Sequence, residues 1–344
     1  MKRIIVALMC LSLLAVVTGL FTACQERERT GPDGEWRPSR PVRIIVGAAA
    51  GGGTDLVART MAEALGPIMG TTFQVVNVLG GSGGIAMAQV LGAPLDGHTI
   101  FGANEAMHSV AVLGTFPHTS GVWDLYIATG SEAILSVNTN SPLETFEDLR
   151  AAVRAREVLG AGSNPGSIWG VKFAQFQALM GPDANITFIP FTGSAPSNIA
   201  VMTGEVEVSI TAAAEQLSFI QAGEMRPLIA IEREDVYVPG FGTVRSISHY
   251  YPEFDDFPQV GQWLGFCVPR ALPQHIRDAY RAAITQAWNS ELFQNMMATS
   301  NFTFFGIYGE ESERLGREMD ASFSWILYDH GLVDTSPAAF NLPR

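Results

Sequence analysis

The stretch VGAAAGGGTDLVARTMAEALG, Val46–Gly66, sets three consecutive glycines between an apolar, strand-like run and a helical one. Glycine has the most backbone freedom to lose on folding, so such a run is costly unless the main chain must approach something closely. Upstream, PVRIIVG reads as a buried strand, and after the glycines Ala58, Met61, Ala62, Leu65, Ile68 and Met69 recur at helical spacing. This is a βα unit. A helix starting beyond the glycines presents unpaired N–H groups and the positive end of its dipole, a seat for carboxylate or phosphate that needs no cationic side chain. Asp55, at the helix start, reads equally as a cap for those amides or as a ligand contact. No lysine follows the glycines, which disfavours a P-loop and nucleotide hydrolysis.

The alternation continues along the chain. TFQVVNV, HTIFGA, AILSVN, VLGAGS, ITFIPF, EVEVSIT, PLIAI and WLGFCVP read as strands. GGIAMAQVLG, SPLETFEDLRAAVRAR, APSNIAVMTG, the run from Pro273 and EESERLGREMDASFSWILYDHGL read as helices, the second entered at Ser141 before Pro142 and Glu144. Strands and helices in alternation argue for open, largely parallel sheets in two α/β bodies. REDVYVPGFGTVRSISHYYPEFDDFPQ, rich in Pro, Gly and aromatics, reads as an irregular excursion.

With 344 residues, 47% hydrophobic and 16% charged, the chain can build two packed domains. A formal charge of −13 and a pI of 4.9 repel nucleic acid and anionic lipid, so neither is a partner. Lys2 and Arg3 followed by IIVALMCLSLLAVVTGLF form an export signal, and LFTAC, Leu20 to Cys24, resembles a bacterial lipobox whose cysteine carries lipid. A plain cleaved signal or an uncleaved anchor are the alternatives. Cleavage before Cys24 removes both of those positive charges and takes the total from −13 to −15. QERERTGPDGEWRPSR then reads as a tether. Cys267 is the lone cysteine left beyond Cys10 and Cys24, a small core residue with no intrachain disulfide to form.

Other polar segments are candidates. In LGGSGGIAMA, Gly81 to Ala86 fits a dinucleotide fingerprint without its acidic partner. Gly80–Gly84 also fits a nucleophile elbow around Ser82, with His275 or His330 as conceivable bases. That makes an exported serine hydrolase the competing class. GAGSNPGSIWG and PFTGSAPSN each follow a strand and open a helix, supplying hydroxyls and amides; with the triple-glycine loop they resemble half-sites on opposite domains. Glu105, at a strand end, could receive a ligand amine, although a solvated carboxylate is the commoner case. Lys172 reads as a solvated helix charge. His98, His108, His118, His249, His275 and His330 lack metal-ligand spacing and read as surface or packing residues, so no metal or cofactor is expected.

AGGGTD, VVNVLGGSGG, DGHTIFGAN, GAGSNPGS, IPFTGSAPSNIAVMTGEVEV and WLGFCVPRALPQHIRDAYRAAITQAW, in this order from about Pro38 to Leu332, resemble the substrate-binding receptors of the tripartite tricarboxylate transporter (TctC or Bug) family. The resemblance implies a two-domain periplasmic-binding-protein-like α/β fold of type II, each domain a mixed, mostly parallel sheet flanked by helices, with a cleft between. It implies a signal over residues 1–23, a tether over 24–37, one domain from 38–134 plus 261–344 and a second from 135–260. It implies no catalysis, a monomer anchored outside the cytoplasm through Cys24, and delivery of a small carboxylate to membrane permease subunits. Family ligands are dicarboxylates, tricarboxylates, acidic amino acids and aromatic acids. The matched motifs assign ligand contacts to Ala50, Gly51, Gly52, Gly53 and Asp55, to Gly83 and Asn104, to Ser163, Asn164, Gly166 and Ser167, and to Thr192, Gly193, Ser194 and Ala195. Gly47-Ala48, Asn77–Gly80 and Thr211 depart from the family pattern, changes expected in the pocket wall.

Overall fold

The computed structural model describes residues 29–31, 34–257 and 260–344. The expected signal and Cys24 lie outside the described residues. Strands β1 (Arg29–Thr30) and β2 (Trp36–Arg37) form a two-stranded ribbon where a tether was expected. Trp36 is buried, with its ring against His98 and Tyr280. One large aromatic gives this polar segment enough apolar area to dock.

The first sheet contains β3 (Val42–Val46), β4 (Phe73–Asn77), β5 (Thr99–Asn104), β6 (Trp123–Gly130), β14 (Leu264–Pro269) and β15 (Thr303–Tyr308), in the order β4-β3-β5-β14-β6-β15. Strand β3 runs parallel to β4 and β5, whereas β14 is antiparallel to both its neighbours. One face is covered by α1 (Gly53–Met69), α7 (Gln274–Trp288) and α8 (Glu291–Ser300), which bury Met61, Leu65, Tyr280, Ile284 and Phe293. The other carries α2 (Gly84–Leu91) and the first half of α9 (Glu310–Asp329).

The second sheet contains β7 (Ala133–Asn138), β8 (Val158–Gly162), β9 (Ile186–Pro190), β10 (Val208–Ala212) and β11 (Met225–Ala230), in the order β9-β8-β10-β7-β11. Again the outer pairs β8–β9 and β8–β10 are parallel, and β7, arriving directly from β6, is antiparallel to β10 and β11. Helices α3 (Phe146–Ala155) and α4 (Ile168–Met180) pack on one face, and α5 (Ser194–Thr203) and α6 (Ala213–Gln221) on the other. Each sheet thus takes one central antiparallel strand just after the chain crosses from the other body, giving the two-domain α/β architecture.

Several elements differ from their sequence reading. Helix α3 begins at Thr145 rather than Ser141: the Thr145 hydroxyl accepts from the Asp148 amide at 3.1 Å and the Asp148 carboxylate accepts from the Thr145 amide at 2.9 Å. Ser141 instead accepts from the Leu143 amide within a turn. The irregular excursion holds a small hairpin, β12 (Val236–Val238) with β13 (Gly242–Val244), and Phe254 from it is buried in the second core. Helix α9 serves both bodies, since Leu315 packs with the first and Phe323, Ile326 and Leu327 with the second.

Replacing Trp36 by Ala should lower stability by about 3 kcal/mol, the usual cost of deleting a buried aromatic. Urea unfolding checks this; a free tether would give no change.

Candidate ligand-binding site

Loops leaving the C-terminal ends of the parallel strands of both sheets converge on one cavity of about 400 Å³ between the domains. Open α/β sheets place ligands there. Helices α1, α2, α4, α5 and α6 all have residues of their first turn or cap on its wall: Gly53 and Thr54, Gly83, Ser167 and Trp169, Ser194 and Ala195, and Glu215. Among the described residues the lining includes no Lys, Arg or His. Any anion here must be held by main-chain amides, hydroxyls and side-chain amides.

The glycine run earns its place by close approach. Gly51 has φ 84°, a left-handed conformation, and its amide donates to Asp55 Oδ2 at 2.9 Å. The Gly53 amide donates to Glu215 Oε1 at 3.1 Å, and a Cβ on Gly53 would stand only 2.9 Å from that oxygen. Two amides of the expected α1 nest are therefore occupied by the protein's own carboxylates.

Of the residues assigned from sequence, Ala50, Gly52, Gly53, Gly83, Asn104, Ser163, Asn164, Ser167, Thr192, Gly193, Ser194 and Ala195 line this cavity. Gly51, Asp55 and Gly166 do not. Asp55 is buried between Gly51, Arg59 and Asn77, and these hydrogen bonds, acting against the burial that raises it, hold its carboxyl below the usual range. Gly166 is a meeting point of the domains: its carbonyl accepts from Ser109 at 2.6 Å, and a Cβ there would collide with Leu113. Asn104 spends its amide on Thr54 and the Ala106 backbone. Gly47, Ala48, Leu79 and Gly80 do form wall, whereas Thr211 lies behind it, bonded to Asn198 and Gln216.

Sequence reasoning missed two polar wall residues, Glu215 and Gln262, and misjudged a third. Glu105 is 3% exposed rather than solvated. Burial pushes its carboxyl up to about 8, helped by the charge of Glu215 and opposed by amides of its own residue, Ile168 and Trp263. Burial likewise raises Glu215, opposed by the nearby donors of Ser194, Gly53, Ala212 and Gln262. Lys172 is also buried, its ammonium donating to the Ile231 carbonyl at 2.7 Å and to Glu232 at 3.0 Å. Neither residue had a local sequence signal, because their burial comes from elements far along the chain.

Ser82 does sit on the wall, with φ 53°, but its hydroxyl donates to Asn164 Oδ1 at 2.7 Å across the cleft. Neither His275 nor His330 lines the cavity. A carboxylate–histidine pair absent from the sequence reading exists elsewhere. His108 Nδ1 lies 2.7 Å from Asp320, Trp263 donates to His108 Nε2 at 3.2 Å, and Ser120 bonds the other oxygen of Asp320. Because Trp263 can only donate, Nδ1 carries the proton toward Asp320.

A profile described as "Tripartite tricarboxylate transporter family receptor" (TctC) matches residues 57–328. The chain belongs to this family. Protein BugT of Bordetella pertussis is 26% identical to this receptor over 294 residues, 80% of this chain and 87% of that protein. The periplasmic binding protein BugD superposes with a TM-score of 0.76 at 21% identity, over 86% of this chain and 99% of that one. Rpa4515 of R. palustris, solved with adipate, gives 0.74 at 24%, over 86% and 98%. MatC of Rhodopseudomonas palustris, with bound malate, gives 0.71 at 22%, over 84% and 99%. Such likeness establishes the periplasmic-binding-protein fold. Receptors of this family are periplasmic binding proteins and not enzymes.

The acid pair makes a pH signature. The folded Glu105 value of about 8 lies above the ordinary 4.5 of a free glutamate, so across that window the native state keeps a proton that the unfolded chain releases. Stability therefore falls as pH rises from 4.5 to 8, by up to ~1.4 kcal/mol per pH unit, and this group contributes no slope below it. Glu105→Gln should flatten the fall to what Glu215 leaves, as read by urea unfolding at several pH values in the window.

Proposed function

We propose that this receptor captures a small carboxylate in its interdomain cleft, closes over it by hinge motion, and hands it to the permease subunits of a tripartite transporter. The convergence of helix N-termini on a cavity without a basic side chain carries this reading. The malate and adipate held by two solved proteins of the same fold support it. The body's net charge of −13 gives an anion no long-range attraction, so affinity arises from local dipoles in a cleft where water is scarce. Of the carboxylate seats read from sequence, the start of α5 is the best placed: the first amides of a helix have no intrahelical partner, and Ser194 and Ala195 lie on the wall. Thr192, Ser163 and the Asn164 side-chain amide add donors around it, whereas the Ser167 hydroxyl donates to the Asn164 carbonyl. Tethering through Cys24 and action as a monomer complete the proposal.

Thermal-shift screening tests the function, because a ligand that binds only the native state raises its apparent stability. A carboxylate should raise the melting temperature, and lack of any shift across the class would remove the reading. Ser194→Pro deletes one amide at a helix position that tolerates proline. A charge-assisted bond is worth about 1.5–3 kcal/mol, so carboxylate affinity should fall roughly 10–100-fold. Ser194→Ala, which keeps the amide, should lose less.

A further inference from the structure

Three buried side-chain oxygens on residues lining the cavity have nothing to accept from: Glu105 Oε2, Glu215 Oε2 and Gln262 Oε1. Buried acceptors are nearly always paired, so three such oxygens on residues of one cavity wall call for donors that the chain does not supply. Glu105 and Gln262 are 3% and 6% exposed. Glu215 keeps some residue surface, yet its Oε2 is enclosed, while its Oε1 takes the Gly53 amide. Ionising both carboxyls sets like charges against one another, and among the described residues no cationic side chain on the wall offsets them. A second ligand carboxylate here would add like charge in a low-dielectric space. A primary ammonium has the opposite charge and three N–H donors, one for each orphaned oxygen.

We propose that Glu105, Glu215 and Gln262 form a seat for a protonated primary amine, and that the ligand is a neutral α-amino acid rather than a di- or tricarboxylate. The inference rests on the receptor reading for the carboxylate end. Ser194 and Glu215 share the cavity wall, so the amine seat adjoins the α5 amides, as suits a molecule whose two charged groups share one carbon. Leu79, Trp169, Phe191 and Ile199 line other parts of the cavity and offer contact to an apolar side chain.

Calorimetric titration of the receptor decides the matter with three families of probes: L-leucine and L-phenylalanine, their deaminated acids 4-methylvalerate and 3-phenylpropionate, and their decarboxylated amines 3-methylbutylamine and phenethylamine. Malate and adipate complete the panel. The amino acids should bind at least about a hundredfold more tightly than either truncated family, since a site built for a polar group rejects the analogue lacking it. Glu105→Gln and Glu215→Gln should each cut the preference for L-leucine over 4-methylvalerate at least about tenfold, with retained 4-methylvalerate binding reporting a folded cleft. Variants that keep the full preference overturn the amine seat. Tighter binding of a deaminated acid, malate or adipate overturns it too, while leaving the carboxylate receptor standing. Amines that bind as tightly as the amino acids would sink the carboxylate seat alone, and a silent panel sinks both.

Discussion

Every α-helix leaves its first amides without an intrahelical partner, and this fold aims several such ends at one space. Their partial positive charges call for acceptors. The protein meets part of this demand from within, setting Asp55 on the Gly51 amide and Glu215 on the Gly53 amide. Those contacts explain how a carboxyl can be enclosed there at all, since amide donors partly offset the desolvation of its charged form. What the protein leaves open is the α5 end, where the Ser194 and Thr192 hydroxyls lie on the same wall as the Glu215 carboxyl. The cavity is thus divided into an acceptor-rich side and a donor-rich side by the choice of which helix ends the chain satisfies itself.

The same wall is wired to the crossing between domains. Strand β6 ends at Gly130 and β7 starts at Ala133, so the connection is two residues long. Ser131 in it accepts from the Ala214 amide, next to Glu215, at 3.1 Å. The Ala133 amide donates to Glu232, whose other oxygen holds the buried Lys172 ammonium of α4. A rotation at the crossing therefore moves groups bonded to the first turn of α6, and with it the acid on the wall. On the far side the Ser82–Asn164 and Ser109–Gly166 hydrogen bonds tie the domain lips together. These contacts need both bodies in register.

Periodicity and glycine placement made most of the architecture readable in advance. The β3–α1 unit, the parallel strands and the polar loops that open α4 and α5 all carry local signals, because period and capping chemistry act over a few residues. Strand β6, buried almost throughout, lacks alternation, and β15 is interrupted by Gly306 in a positive-φ bend, so neither shows a clean period. Trp36 docked what composition suggested was free, and Thr145 displaced Ser141 because a reciprocal pair with Asp148 satisfies more amides than a lone hydroxyl. The acids were the harder case. Whether Glu105 or Glu215 meets water is decided by elements far along the chain, such as Trp263 for Glu105 and Gly53 for Glu215, and no local pattern encodes that.

Preorganisation sets what such a cavity can achieve, because a group that must first be ordered spends binding energy on itself. Glu105 opens the short 3-10 turn that also holds His108, and Gln262 is the neighbour of Trp263. The chain of hydrogen bonds from Trp263 through His108 to Asp320 and Ser120 fixes both neighbours at once, and it draws Asp320 from α9, 212 residues beyond His108. Helix α9 in turn packs with both domain cores. Glu105 and Gln262 are accordingly flanked by a buried polar network, while Glu215 is held through the Gly53 amide, and each keeps an oxygen unspent. A rigid unsatisfied acceptor favours a guest that brings donors to it and penalises one that does not, so selectivity here follows from the positioning network as much as from the groups it positions.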